Sequence, residues 1–240
     1  MRSAPSVLAI FAHPDDAELS CFGTLAALAA AGSEVHVLTL TTGARSVSPL
    51  AADRVREATA AAALVGVTLI VEDFADGRVE TVGETFTVVE RHLRELRPDV
   101  VVTHYSSPHF GDDHQDHQVT GRVATTLAKR MSFVRLVLHA EPPVVVSGFT
   151  PNLFVNVTET VEKKLAAIAQ YQSEAAKPYM REEAVLARGR FWAMQAKFYD
   201  PEEGNYYESF QLVKARMTNP GFLLGLTGGH DRGVRRDRSA

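Results

Sequence analysis

The strongest constraint in this chain is an alternation of two patterns. Short apolar runs are followed, again and again, by stretches with helical composition. Val7 to Ala12 reads as a strand, and Glu18 to Ala31 as a Leu- and Ala-rich helix closed by Gly32. Val35 to Leu40 is β-branched and reads as a second strand, followed by a helix over Asp53 to Val65 and a strand over Val67 to Val71. Glu84 to Leu96 is a helix stopped before Pro98, Asp99 to Thr103 a strand, Gln118 to Lys129 a helix and Val134 to Leu138 a fifth strand. Continuous apolar strands alternating with helices specify a parallel sheet covered on both faces. Right-handed crossovers then give an α/β fold, a Rossmann-like, doubly wound, mostly parallel sheet.

In such sheets ligands lie outside the carboxyl ends of the strands. Four loops are expected to converge there: 12–16, 41–45, 73–78 and the segment after strand four. The second half is less regular. Asn152 to Val157 reads as a strand, Val161 to Tyr171 and Arg181 to Tyr199 as helices, and Tyr206 to Val213 as a last strand. Phe191, Trp192 and Phe198 on the long helix read as core. One domain over residues 1–217 is expected, with the sheet core at 5–140 and a substrate-shaping half at 141–217; residues 218–240 read as a partly disordered tail.

Composition removes several classes of function. The 240 residues carry a net charge of -4, and no basic stripe with interleaved aromatics appears, which argues against nucleic acid. The one basic concentration, Arg232 to Arg238, reads as a solvated terminus. Cys21 is the only cysteine, so no disulfide can form within the chain and a Cys-rich zinc site is excluded. The apolar run near the start is too short for a signal core, and no stretch reaches the ~20 residues of a membrane span. The expectation is a soluble cytoplasmic protein with a small-molecule partner, and no membrane or nucleic acid.

Two clusters carry the chemistry. Ala12-His13-Pro14-Asp15-Asp16 follows the first strand, and His114-Gln115-Asp116-His117 follows the fourth. Pro14 biases His13 toward an extended backbone, so His13 ends the strand and Asp16 opens the helix. Imidazole nitrogen and carboxylate oxygen both suit zinc at ~2.0–2.2 Å. Neighbouring Asp15 and Asp16 diverge by ~100° at a helix start, so one can hold a metal while the other faces the water it activates. His114 and His117 stand at i and i+3 and share a face, while Asp116 is placed to orient a histidine through its ring N–H. The residues alone do not choose between His114 and His117 as ligand. His36 and His139, inside strands, read as half-buried histidines. The second cluster also resembles the tail of the His-x-His-x-Asp-His pattern of di-metal hydrolases, but Asp112 stands where that pattern needs histidine.

Ala12-His13-Pro14-Asp15-Asp16-Ala17-Glu18-Leu19, continuing to Gly23-Thr24-Leu25, resembles the opening motif of the PIG-L/LmbE-like N-deacetylases. Phe22 stands where that family often has a second glycine. Asp113-His114-Gln115-Asp116-His117 resembles its second motif, His-x-Asp-His. The helix from Arg54-Val55-Arg56-Glu57-Ala58 and the Asp76-Gly77 loop are similar to two further family segments. The resemblance implies a zinc-dependent hydrolase that removes an acyl group, usually acetyl, from a sugar amine. It implies His13, Asp16 and His117 as ligands of one zinc ion, and Asp15 as general base. It implies His114 as oxyanion stabiliser or acid with Asp116 orienting it, and Arg54 and Asp76 as sugar contacts. A homo-oligomer, a larger sugar or thiol conjugate as substrate, and a non-catalytic Rossmann-like binding module all stay open.

Overall fold

The computed structural model describes residues 4–44, 53–81, 83–109, 111–197 and 204–216. The tail expected at 218–240, with its basic run, lies outside the described residues, as do Arg45, Phe198 and Tyr199. Seven strands and six helices follow in order: β1 (Val7–Phe11), α1 (Asp16–Ala30), β2 (Val35–Thr41), α2 (Arg54–Val65), β3 (Thr68–Phe74), α3 (Glu84–Leu96), β4 (Val100–His104), α4 (Gln115–Arg130), β5 (Leu136–Ala140), β6 (Leu153–Asn156), α5 (Val161–Ile168), α6 (Glu182–Gln195) and β7 (Tyr207–Ala215). Two short 3-10 turns at Gln172–Glu174 and Pro178–Met180 join α5 to α6.

The strands form one sheet in the order β3-β2-β1-β4-β5-β7-β6. β1 to β5 are parallel, as their alternation with helices requires. The departure is in the irregular half, where β7 runs antiparallel to both β5 and β6. From β1 the chain winds outward through β2 and β3, then returns to lay β4 on the other flank of β1. The strand order therefore reverses between β1 and β4, which is where a crevice opens at the carboxyl edge.

β1 is buried on both faces, and its period of two divides its side chains between two cores. Val7, Ala9 and Phe11 pack with Cys21 and Leu25 of α1, Ala58, Ala61 and Ala62 of α2, and Ile168 of α5. Leu8 and Ile10 pack with Val89 and Leu93 of α3 and with Val123 and Leu127 of α4. Each such fully buried aliphatic or aromatic side chain contributes about 1.5–3 kcal/mol. The small residues of α1 and α2 let those helices lie close over the sheet. Trp192 is only half-buried, its indole N–H donating to Glu141 Oε2 at 2.6 Å, and Phe191 is 46% exposed; the reading of both as core is thereby corrected. The cause is that α6 lies on the outside of the β6–β7 flank and turns that face to solvent.

α4 starts at Gln115, three residues earlier than its apolar spacing suggests. Its N-cap is His114, whose Nδ1 accepts from the Asp116 backbone N–H at 3.2 Å. A histidine cap is missed when only Ser, Thr, Asp and Asn are sought. Further along α4, Gly121 has no space for a side chain, since a Cβ there would stand 2.4 Å from the His104 carbonyl oxygen. That close approach seats α4 against the end of β4. The second half is tied to the first by two buried carboxylates. Glu208 of β7 accepts from the Gly23 and Thr24 amides of α1 and pairs with Lys164 of α5 at 2.6 Å. Glu57 of α2 accepts from Ser173 N at 3.1 Å and Ser173 Oγ at 2.5 Å, which fixes the first 3-10 turn beside the crevice.

Candidate metal centre and active site

The crevice between the ends of β1 and β4 is a cleft of about 620 Å³ lined by His13, Asp15, Asp16, Arg54, Asp76, His114, His117, Lys177 and Tyr179. Every residue expected from the two clusters reaches this region. Asp15 and Asp16 diverge at the start of α1, as neighbours there must. Asp15 turns to Arg54, with Oδ1 2.7 Å from Nη2. Asp16 turns the other way, where its Oδ2 accepts from the His13 amide at 2.7 Å. The backbone at Asp15 is left-handed, φ 97°, a conformation that costs a non-glycine residue on the order of 1–3 kcal/mol. This is the strained joint that lets the two carboxylates part.

His13 Nδ1, the Asp16 carboxylate and His117 Nε2 form a triangle. Its edges are 3.5 Å from His13 to Asp16, 3.2 Å from His13 to His117 and 3.3 Å from His117 to Asp16. Ligands ~2.1 Å from a tetrahedral ion stand ~3.4 Å apart, so the donor set and its spacing suit a divalent metal, although the two Asp16 edges end on different oxygens, Oδ2 toward His13 and Oδ1 toward His117. His114 groups with His13 and His117 but not with Asp16. His117 belongs to two such candidate groups and His114 to one. His104 is a rival, since it falls in a group with Asp16 and His117. Its Nε2 accepts from the Ala12 amide at 3.1 Å and lies 3.1 Å from Asp16 Oδ2, and burial holds its pKa down to about 4. It forms the floor of the site, stacked on the His117 ring with centroids 4.2 Å apart.

Carboxylates surround the histidines. Asp116 is fully buried, its Oδ2 lying 3.3 Å from His13 Nε2 and accepting from Gly77 N at 2.6 Å, its Oδ1 accepting from Val79 N at 3.1 Å. The family likeness had Asp116 orienting His114; in the structure its carboxylate meets His13, and only its backbone amide meets His114. The cause is the loop after β3, whose amides at 77 and 79 draw the carboxylate toward the β1 side. Asp76 Oδ1 also approaches His13 Nε2, at 3.2 Å. Burial would lower the pKa of His13, but Asp116, Asp16 and Asp76 outweigh it and push it up to about 12. Burial likewise acts against a charge on His117, and Asp16 and Asp113 push that ring up to about 9. So many acidic groups facing two imidazoles demand positive charge, which protons or a metal can supply.

On the far wall, Arg54 reaches Asp15, Glu174 at 3.5 Å and the Gly43 carbonyl at 3.3 Å. Lys177 pairs with Glu174 and stands 4.0 Å from Asp15 Oδ2. Burial pushes Asp15 up to about 6, against the pull of Arg54. Arg54 and Asp76, both expected to meet a sugar, line the cleft but already hold protein partners. Sequence reasoning missed Glu174, Lys177 and Tyr179, which the two 3-10 turns and the link between them carry to the site and which no motif marks. Asp113, which the sequence places at the head of the second motif, was given no role there.

Residues 8–128 match the PIG-L family, described as GlcNAc-PI de-N-acetylase. The chain is 30% identical over 171 residues to the uncharacterized deacetylase YaiS of Escherichia coli, a match covering 70% of this chain and 90% of that protein. It is 29% identical over 201 residues to the diacetylchitobiose deacetylase of Thermococcus kodakarensis, covering 73% and 74% of the two chains. Among solved structures, GalB, the 4-carboxy-2-hydroxymuconate hydratase of Pseudomonas putida, superposes with a TM-score of 0.73 at 23% identity, covering 90% of this chain and 98% of that one. That last likeness is one of fold. The chain belongs to the PIG-L family, as its two motifs implied, and its sheet is the α/β sheet that the strand–helix alternation implied. No helix among the described residues is long and apolar enough to cross a membrane.

Proposed function

We propose that this protein is a zinc-dependent hydrolase that removes an N-acetyl or related acyl group from an amino sugar or glycoside. The observation that carries the reading is the triangle of His13, Asp16 and His117 with Asp15 beside it. Two deacetylases among the relatives, one of them acting on diacetylchitobiose by its name, support it. A divalent ion held by these three ligands supplies Lewis-acid chemistry, polarising an amide carbonyl and acidifying a water.

The chain's own groups divide the remaining work. Asp15 Oδ1 is taken by Arg54, so Oδ2 is the oxygen that accepts the proton of the attacking water. Its pKa near 6, raised by burial, suits a base that works near neutrality. His114 Nδ1 accepts from the Asp116 amide, so the neutral ring carries its proton on Nε2. That nitrogen has no partner among the described residues and donates to the oxyanion as it forms. Asp116 holds the ring of His13 and acts through it. Asp76 and Arg54 offer an acceptor and a donor to the sugar hydroxyls. The substrate is a small N-acylated amino sugar or glycoconjugate met in the cytoplasm, and the domain is residues 1–217.

An amine-release screen over N-acetyl sugars, their nucleotide forms and larger glycoside or thiol conjugates, with zinc present, tests this. Amine from at least one class, abolished in His117→Ala, is expected. No release from any class by zinc-loaded protein, or release that survives His117→Ala, overturns it.

A further inference from the structure

We infer that Asp113 is a positioning residue for the metal centre, one that orients His117 and tightens its hold on the ion. The inference rests on His13, Asp16 and His117 being the ligand set. Asp113 Oδ1 lies 3.0 Å from His117 Nδ1. An ionised carboxylate only accepts, so Nδ1 carries a ring proton, and Nε2 is the nitrogen left to give up its proton and offer a lone pair when a metal binds. Nε2 is the atom that stands 3.2 Å from His13 Nδ1 and 3.3 Å from Asp16 Oδ1. The nitrogen left for a metal is therefore the one that faces the ligand triangle.

Two contacts fix this ring in complementary ways. The His104 ring lies parallel beneath it, with an interplanar angle of 10°, and sets its plane. Asp113 sets its rotation within that plane. Asp113 is itself held, because the same Oδ1 accepts from the His114 amide at 2.7 Å and its side chain is 4% exposed. The spacing of four residues, from just before the α4 cap into its first turn, brings the carboxylate to the Nδ1 edge of the His117 ring. His13 has the matching arrangement, with Asp116 at its far nitrogen. Each histidine of the triangle thus has its own carboxylate behind it, but the one behind His117 comes from the loop before the motif.

Removal of such a partner typically weakens metal binding 10–100-fold. The protein stripped of metal is titrated with Zn²⁺ against a chelating dye, alongside Asp113→Ala and Asp113→Asn. Asp113→Ala is expected to bind Zn²⁺ roughly 10–100-fold more weakly, and Asp113→Asn to fall between it and the parent, since the amide keeps an acceptor but loses the charge. The visible spectrum of the Co²⁺ form should change in both. Where Asp113→Ala does not fold, Asp113→Asn carries the test, because its amide oxygen still caps the His114 N–H. A parent that binds Zn²⁺ and variants that bind it equally well, with an unaltered Co²⁺ spectrum, overturn the role of Asp113 alone. A parent that takes up no Zn²⁺ overturns the metal centre and this role with it.

Discussion

Arg54 Nη2 lies 2.7 Å from Asp15 Oδ1, and both side chains are almost wholly buried, 6% and 4% exposed. The pairing joins the start of α2 to the strained start of α1. Arg54 continues to Glu174 and to the Gly43 carbonyl, so a single guanidinium ties together three segments distant in sequence. A buried charge pair contributes little net stability against an apolar alternative, but removing one partner alone leaves an uncompensated charge.

Arg54→Met should therefore destabilise the fold by about 3–5 kcal/mol, since buried Asp15 loses its close partner and Glu174 keeps only Lys177. For a chain of this size that is a fall in Tm of roughly 10 °C. Arg54→Lys should recover only part of it, because one ammonium cannot reach Asp15, Glu174 and Gly43 together in the fixed fork geometry of the guanidinium. Thermal unfolding of the three proteins decides, and an unchanged Tm in Arg54→Met would show that the network is not holding the site.

Asp15→Asn separates chemistry from metal binding. Asparagine tolerates a left-handed backbone, so the φ of 97° is kept without new strain. The substitution leaves His13, Asp16 and His117 in place and removes the proton acceptor. Turnover should fall by about 10²–10⁴-fold. Zinc content, measured by metal analysis, should stay near that of the parent. Loss of zinc in this variant would move Asp15 from the base to the ligand set.

Much of this was legible in the chain itself. β1 to β5 and α1 to α4 were visible because each apolar run is flanked by helix signals with Gly or Pro punctuation. The His13 and His117 motifs were visible because they follow strands that must end on one edge. What was not legible has physical causes. His114 caps α4 through a ring nitrogen, so the first turn of that helix has no ordinary start signal. The partner of Asp116 depends on where the 77–79 amides lie, which is a tertiary fact. Glu174, on the first 3-10 turn, and Lys177, between the two turns, arrive more than 150 residues after Asp15, placed by the Glu57–Ser173 bond, and no local pattern encodes that approach.

Zinc should also act as a folding ligand. A ligand bound only by the native state at a hundred times its Kd adds about 2.7 kcal/mol. Chelation should then lower the Tm by roughly 5–10 °C, and added zinc should restore it. His117→Ala should unfold at one temperature with or without zinc, because the triangle has lost a corner. Thermal scans with and without chelator check this, and a parent whose Tm ignores both zinc and chelator would argue that the three residues hold no ion.

His139 on β5 offers a pH test away from the metal centre. Its Nε2 lies 2.8 Å from Thr125 Oγ1, and burial, aided by His104 and Lys129, pushes its pKa down to about 4. The unfolded chain takes a proton at its ordinary pKa of about 6.5, while the native state resists until about 4. Between these values the unfolded state binds more protons, so stability is present above about 6.5 and is lost as the pH falls toward 4. The loss from this one ring is on the order of 2–3 kcal/mol. His139→Gln should start less stable at pH 7 but show a shallower decline on acidification. Urea unfolding at intervals from pH 7 to pH 4.5 measures both slopes, and parallel curves for the two proteins would mean that His139 titrates alike in the native and unfolded states.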